Sequence, residues 1–172
     1  VKTASELPIL NTPFALEKIS GSGKVYSTAI SPDGKTAVYS NEIGGKQSLW
    51  IKNFDSNGEN VQIVPPSDDI YHKLIFSPNG NFIYFIRKPQ FENREGSLYR
   101  VSIFGGVPSE IVNAPLLWFG LSPDGEKISF TRCYFRDEEF CSLWIADARD
   151  GKNERKIATR PRPMRIGDND FS

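Results

Sequence analysis

The chain has few of the residues that most often carry out chemistry: one histidine, two cysteines and one methionine among 172 residues. A single histidine excludes multi-histidine metal sites, and a serine–histidine–aspartate set would have to use His72. No Gly-x-Ser-x-Gly elbow and no Gly-x-x-x-x-Gly-Lys-Ser/Thr phosphate loop is present. We therefore predict that the chain is not an enzyme and has no metal site and no cofactor.

An excess of charge and long apolar runs are also lacking. The 21 basic and 21 acidic side chains balance to a formal net charge of +0, which excludes the basic surface expected of a nucleic-acid binder. The apolar runs, such as 83–86, are far shorter than the roughly 20 residues that span a bilayer. We predict no nucleic-acid partner and no direct membrane insertion of this segment. Because the chain begins at Val1 without a methionine, the possibility of an upstream signal, anchor or domain stays open.

Glycine (14) and proline (12) are plentiful and mark a repeated turn. An apolar residue followed by Ser-Pro-Asp/Asn-Gly occurs three times, with the serines at positions 31, 77 and 122. A fourth copy starts at Phe171-Ser172, where the chain stops before the expected proline. In each copy, proline fixes φ at the second position and glycine supplies the left-handed conformation at the fourth.

Each period contains the same elements in the same order. The turn is followed by an alternating strand, a connection, a Leu-Trp or Leu-Tyr strand, a second glycine-bearing turn and a last strand. Four-stranded units that repeat every 45 or 46 residues are typical of β-propeller blades. We predict an all-β propeller rather than a β-sandwich, which needs no matched turn in each period. The shared aromatic position of the third strand (Trp50, Tyr99 and Trp144) is interpreted as packing between blades.

The repeat divides the chain into one leading strand, three complete four-stranded blades and one trailing strand. The predicted segments are a linker or N-terminal extension (1–15), the outer strand of a preceding blade (16–20), blade one (21–66), blade two (67–112), blade three (113–159) and the inner strand of a following blade (160–172).

These motifs resemble a known family, the TolB-like, WD-type propeller repeats, over residues 16–172. The family has hydrophobic-Ser-Pro-Asp-Gly-Lys turns followed by Leu-Trp strands, as in 30–34 and 49–50 of this chain. Blade one looks especially like propellers attached to bacterial Ser/Thr kinases and winged-helix regulators. The resemblance implies a noncatalytic sensory or interaction module, commonly beyond a membrane anchor. The chain departs from the family at Asn79, and it lacks the Gly-His and Trp-Asp dipeptides of eukaryotic WD repeats.

Blade connectivity predicts two different rims. The Ser-Pro-Asp/Asn-Gly turns and the third-to-fourth turns share one rim, here called the turn rim. Longer connections share the opposite one, the long-loop rim. They are 41–47, 88–96 and 133–141 within blades, and 65–71, 113–116 and 159–166 between blades. Because long loops on a rigid scaffold usually carry recognition, we expect the long-loop rim to bind a protein or peptide.

The candidate binding residues combine charge with aromatic rings, which suits a protein contact. They are Asp68, Asp69, Tyr71, His72, Phe91, Arg94, Tyr134, Phe135, Arg136 and Phe140. The alternative is a solvated loop whose aromatic side chains fold back over the blade. The acidic clusters 68–69 and 168–170 offer oxygen atoms to Ca²⁺ but lack the ligand spacing of an EF-hand, which favours plain polar loops.

Cys133 and Cys141 bracket the long connection of blade three, where facing strand residues come within disulfide range. A disulfide would fit a periplasmic or extracellular protein, and two reduced thiols would fit a cytoplasmic one.

Three blades leave strand edges and blade faces uncovered, since propellers typically have about four to eight blades. Further blades of a longer chain would cover these faces, or a second copy would dock head to tail as a homo-oligomer that closes into a ring or runs on as a filament. Three functions therefore stay open: a sensory or protein-interaction propeller, the gating propeller of a larger peptidase, and a self-assembling structural unit.

Overall fold

The computed structural model describes residues 23–55, 59–90, 96–133 and 140–161, with only the backbone at 114–117, 133, 140, 160 and 161. Every regular element in these ranges is a β-strand, so they contain no helix that could cross a membrane. The strands are β1 (Lys24–Ile30), β2 (Thr36–Ile43), β3 (Lys46–Asn53), β4 (Val61–Ser67), β5 (Asp69–Phe76), β6 (Phe82–Pro89), β7 (Gly96–Ser102), β8 (Ser109–Leu121), β9 (Lys127–Cys133), β10 (Phe140–Asp147) and β11 (Arg155–Pro161). The predicted all-β fold is confirmed.

The strands form three four-stranded antiparallel blades, each in chain order. Blade one is β1–β4, blade two is β5–β7 with the first part of β8, and blade three is the second part of β8 with β9–β11. The backbone of Leu116 pairs with Gly96 of β7 and also with Arg132 of β9. One continuous strand is therefore both the outer strand of blade two and the inner strand of blade three.

The blade boundaries differ by a few residues from those expected. β4 runs through Ser67, one residue past the predicted end of blade one, and β11 runs through Pro161, two residues past that of blade three. The expected boundary at 112 falls inside β8. The linker (1–15), the leading strand (16–20) and residues 162–172 of the trailing strand lie outside the described residues.

The Ser-Pro-Asp/Asn-Gly turns share one hydrogen-bond pattern. In blade one, Ser31 Oγ donates to Asp33 Oδ1 at 2.5 Å and accepts from the Thr36 amide at 2.9 Å. Asp33 Oδ1 also accepts from the Lys35 amide at 3.0 Å, and the Gly34 amide donates to the Ser31 carbonyl at 2.9 Å. The corresponding bonds recur in the other two turns, where an asparagine replaces the aspartate in blade two. A side-chain oxygen is therefore what the turn requires, rather than a charge.

Successive turns lie beside each other. A Cβ atom built on Gly80 would lie 4.0 Å from Cδ of Pro32, and one built on Gly125 would lie 3.1 Å from Cδ of Pro78. The turn glycines of blades two and three thus approach the proline of the preceding blade's turn, and the turns form a row at one rim.

Blade two is buried on both faces, which explains why its second strand reads as an apolar run. Ile83 and Phe85 face blade one, and Tyr84 and Ile86 face blade three. Two separate clusters therefore hold the blades together. Between blades one and two lie Val38, Leu49, Ile63, Val64, Tyr71, Leu74, Phe76, Ile83, Phe85 and Val101. Between blades two and three lie Tyr84, Ile86, Leu98, Ile111, Val112, Phe119, Ile128, Phe130, Ala146 and Ala148.

The aromatic position of the third strand belongs to this packing. Tyr99 contacts the first cluster and Trp144 contacts the second. Tyr99 also stacks on Phe85, with ring centroids 6.1 Å apart. The interpretation as inter-blade packing is confirmed for Tyr99 and Trp144, and for Trp50 it stays a prediction.

Both kinds of short turn lie on one rim, as the connectivity predicts. In each blade, an amide just after the third strand donates to the carbonyl of the residue that follows the turn glycine. The three bonds are Phe54 to Lys35 (2.8 Å), Ile103 to Asn81 (3.1 Å) and Ala148 to Glu126 (2.9 Å). On the turn rim, backbone hydrogen bonds therefore connect the two short turns of each blade.

Candidate binding surfaces

The long-loop rim brings three predicted connections together. The side-chain amide of Gln90 is oriented so that its nitrogen donates hydrogen bonds to the carbonyls of Gly45 (3.2 Å) and Asp68 (3.3 Å). Lys46 Nζ lies 3.9 Å from Asp68 Oδ1, and both side chains are more than half exposed. Ile43 is 56% exposed at the end of β2. The result is a patch with an apolar side chain next to an ion pair, here called the rim patch (Ile43, Lys46, Asp68 and Gln90).

Three of the connections on this rim are shorter than the sequence predicts. The expected long connection at 41–47 is wrong, because β2 and β3 are joined only by Gly44 and Gly45. Both glycines have positive φ (60° and 80°), as a two-residue hairpin turn requires. Between blades, 65–71 is strand except at Asp68, and 113–116 lies within β8. Strands continue here because the outer strand of one blade leads directly into the inner strand of the next.

Asp69 and Tyr71 are engaged within the protein. Arg87 Nε donates to Asp69 Oδ2 at 2.6 Å, and Arg87 Nη2 lies 2.5 Å from the same oxygen. The hydroxyls of Tyr71 and Ser67 are 2.7 Å apart, and the Tyr71 amide donates to Gln47 Oε1 at 2.9 Å. Tyr71 is 2% exposed, and burial raises the pKa of its hydroxyl. These two predicted rim residues thus join blades one and two and have little surface to offer a ligand.

His72 lies on β5, opposite Ile86 of β6, and is half-buried. Burial lowers the pKa of its imidazole, and the charge of Lys88 lowers it further. Among the described residues, no group of three or more histidine, cysteine, aspartate or glutamate side chains is placed to hold a metal ion.

The remaining predicted rim residues fall in the two longest connections. Phe91, Arg94, Tyr134, Phe135 and Arg136 lie outside the described residues, and Phe140 is described only as backbone at the start of β10. Their binding role stays a prediction. The acidic cluster 168–170 also lies outside the described residues.

The strand register places Cys141 of β10 directly opposite Cys133 of β9. Cys141 is disulfide-bonded, and Cys133 is the only other cysteine in the sequence. The register therefore favours a bond between the two, which closes the base of the connection in blade three.

The turn rim carries exposed apolar side chains that the sequence reasoning missed. Phe104 and Val107 flank Gly105 and Gly106 in the third-to-fourth turn of blade two and are 89% and 92% exposed. A Cβ atom on Gly105 would lie 3.3 Å from the Ile63 carbonyl oxygen, so this turn rests on blade one. Two apolar residues beside a Gly-Gly pair were the available signal, since apolar residues in a tight turn have no core to enter.

A third surface lies at the inner strands. The pairing of β1, β5 and β8 with the next strand shifts register at one point each, which marks a bulge in every inner strand. Lys73, in the bulge of β5, has φ of 56°, a conformation that costs a residue with a side chain on the order of 1–2 kcal/mol. Its ammonium lies 4.5 Å from the ring centroid of Trp118, in the bulge of β8. The sequence shows neither residue as special, because the bulges appear only once the blades are packed.

Solved structures match this fold, whereas no family model and no curated protein matches the chain. A TolB protein from Agrobacterium tumefaciens has a TM-score of 0.62 and 19% identity, covering 83% of this chain and 52% of that one. An oligogalacturonate lyase from Vibrio parahaemolyticus has a TM-score of 0.61 and 15% identity, with coverage of 80% and 40%. The β-propeller domain of the Trilobed protease from Pyrococcus furiosus has a TM-score of 0.55 and 16% identity, with coverage of 81% and 43%.

The blades and these neighbours define the class: the chain has a β-propeller fold. Its repeated turns resemble those of TolB-like propellers, and its fold matches that of TolB as well as those of other propellers. The chain spans about half or less of the length of these three structures, between 40% and 52%. At identities below 20% the likeness is one of fold, and the neighbours include enzymes as well as proteins without a named reaction.

Proposed function

We propose that this chain is a noncatalytic propeller module that binds a protein or peptide through its long-loop rim, as the sensory or interaction part of an extracytoplasmic protein. The observation that carries this proposal is the rim patch, where Ile43 is 56% exposed beside the pair formed by Lys46 and Asp68. Exposed apolar surface bordered by charges is typical of protein contacts.

The rim patch is also held rigidly. The Gln90 side chain bonds to the carbonyls of two neighbouring connections, at Gly45 and Asp68. A rigid surface loses little conformational entropy on binding, so a modest patch can still select a partner. The disulfide at Cys141 supports the extracytoplasmic location, because such bonds persist in oxidising compartments.

The experiment compares the two rims. Peptides are selected on the chain from a phage-displayed random library, and their binding is mapped by hydrogen exchange. We expect protection of backbone amides at 43–46 and at Lys88 and Gln90, and loss of binding in Ile43→Glu. The matched control is Phe104→Ser, which changes an exposed apolar side chain on the turn rim. If the control loses binding and Ile43→Glu retains it, the binding face is the turn rim and this proposal is wrong.

Exposed apolar side chains on the outer faces of the end blades favour self-assembly as a second candidate. Ile30 is 63% exposed and pairs with Ala37, which lies on the opposite face of β2 from the inter-blade residue Val38. Leu143 is 38% exposed, on the opposite face of β10 from Trp144. Further blades of a longer chain or a second copy would cover Ile30 and Leu143, whereas Ala37 and Tyr39 on the outer face of blade one are already buried. Sedimentation velocity decides, because self-assembly predicts a concentration-dependent increase in mass that Leu143→Lys abolishes.

A gating propeller of a peptidase is the remaining candidate, and it is supported only by the fold similarity to the propeller of the Trilobed protease. It predicts a hydrolase domain with its own nucleophile in the same polypeptide. Labelling of the full-length protein with a fluorophosphonate probe tests this function.

A further inference from the structure

The inner-strand bulges of the three blades lie next to each other. In the bulge of β5, the Leu74 amide donates to Ser27 Oγ in the bulge of β1 at 3.3 Å. The preceding residue, Lys73, reaches in the other direction to Trp118 in the bulge of β8. The hydrogen bond to blade one holds the backbone of β5 in place, and the Lys73 side chain bridges to blade three. The three bulges therefore form one surface along the inner strands.

The charge of Lys73 has no acidic partner on this surface. Among the described residues, no carboxylate lies within ion-pair distance of its ammonium. A second observation makes the position unusual. Lys73 and Asn153 are the two residues other than glycine that have positive φ in the described ranges, and only asparagine adopts that conformation readily. Backbone strain of this kind clusters at binding and active sites.

Trp118 presents an aromatic face beside that ammonium. The residue is 62% exposed, although it lies on an inner strand where its neighbour Phe119 is 5% exposed. Tryptophan combines a large apolar ring with an N–H donor, and it is enriched where proteins contact other molecules. The ring holds the ammonium at 4.5 Å and keeps a large part of its surface open.

We propose that Lys73 and Trp118 form a second binding site, which takes a carboxylate carried next to an apolar group, as in an acidic peptide. The ammonium rests on the indole by cation–π attraction and keeps N–H groups free to donate to a carboxylate. The exposed indole packs against the adjoining apolar group. The carboxylate comes either from a peptide C-terminus or from an acidic side chain. This site is distinct from the rim patch, so the two proposals fail independently.

The test measures binding of four short peptides by calorimetry and by the indole N–H signal of Trp118 in an NMR spectrum. Ala-Ala-Ala-Phe as the free acid and as the amide tests a C-terminal carboxylate. Amidated Ala-Glu-Ala-Phe and Ala-Gln-Ala-Phe test a side-chain carboxylate. We expect at least one peptide with a carboxylate to bind and shift the Trp118 signal, and its neutral counterpart to bind about tenfold more weakly. The peptide that binds shows whether the site takes a C-terminal carboxylate or a side-chain carboxylate.

Variants separate the site from nonspecific charge. Lys73→Gln should lower the affinity for the carboxylate peptide about tenfold, and Lys73→Arg should leave that affinity unchanged. Trp118→Ala should abolish binding of the peptide. Lys73→Gly removes the ammonium and also relieves the positive φ, so its loss of binding cannot be attributed to misfolding. The control is Lys152→Gln, since that side chain is 77% exposed near the turn rim. Absence of binding by both carboxylate peptides, or equal affinity in Lys73→Gln and the wild type, overturns the proposal.

Discussion

The Tyr84 hydroxyl donates a hydrogen bond to the carbonyl oxygen of Ala148 at 3.0 Å, from blade two to blade three. Both residues are buried in an otherwise apolar interface. Packed apolar side chains hold the two blades together, and a buried hydrogen bond adds a directional contact with one favourable geometry. This bond therefore helps to fix the position of blade three on blade two, together with the shared strand β8.

We expect Tyr84→Phe to lower the free energy of unfolding by about 1–3 kcal/mol, because the Ala148 carbonyl loses its buried donor. Urea unfolding followed by circular dichroism measures the change. Tyr39→Phe is the matched control, since Tyr39 is equally buried but makes no hydroxyl hydrogen bond to the described residues. Equal losses in the two variants would contradict the role given to the bond.

Alanine substitutions at two glycines with nearly the same φ distinguish the cost of backbone strain from the cost of a steric clash. We expect Gly34→Ala to cost about 1–2 kcal/mol, because φ is +74° and nothing lies near a new methyl group. Gly151→Ala should cost clearly more, since φ is +71° and its Cβ atom would overlap the carbonyl of Ile111 in blade two. Thermal unfolding of both variants checks the order. A smaller loss for Gly151→Ala would show that the turn can move away from blade two.

The turns of blades one and three should weaken in acid. The hydrogen bond from Ser31 holds the pKa of Asp33 below its ordinary value, and the bond from Ser122 does the same for Asp124. A carboxylate with a lowered folded-state pKa stabilises the fold above its unfolded pKa, near 4, and loses that contribution as the pH falls through the folded value. We therefore expect the melting temperature to fall below about pH 4.

The double variant Asp33→Asn, Asp124→Asn tests this dependence. Blade two already has Asn79 at this position, with Oδ1 accepting from Ser77 Oγ at 2.7 Å, so the substitution has a native precedent. The variant should retain the turns and show a flatter dependence of melting temperature on pH. An unchanged slope would mean that other carboxylates govern the acid response.

Oxidation should join Cys133 and Cys141. We expect the mass of the intact oxidised chain to rise by about 2 Da on reduction, and its stability to fall by roughly 2.5 kcal/mol in the chain-entropy model for a loop of this size. Mass spectrometry of peptides under non-reducing conditions identifies the pair. Two alkylated thiols in protein isolated from oxidising conditions would exclude the bond and remove its support for an extracytoplasmic location.

The repeated turns carried most of what the sequence could predict. Ser31 and its two counterparts determine local structure through bonds to residues within five positions, so the motif is sufficient to locate the inner hairpins. The alternation of strand residues then gives blade order and faces. Gly44 and Gly45 also form a local signal, but the predicted strands at 36–39 and 49–51 are shorter than β2 and β3, so the connection between them is predicted too long.

The candidate sites were less predictable because they depend on contacts between blades. Tyr71 is an aromatic residue in a polar stretch, which suggests exposure, yet its partner Gln47 comes from another blade. Lys73 and Trp118 are 45 positions apart and meet only through two bulges. No local pattern encodes such a meeting, since a bulge depends on how the inner strands pack against each other.

The continuous strand β8 determines the order in which the blades unfold. Blades two and three share its backbone in one seven-stranded ladder, whereas blades one and two are separate sheets that meet at Asp68. Opening blade three must therefore strain the outer edge of blade two, while blade one can detach with less disturbance of its neighbour. Native-state hydrogen exchange should then show two cooperative units, with the amides of β5–β11 exchanging together and those of β1–β4 exchanging at a lower free energy.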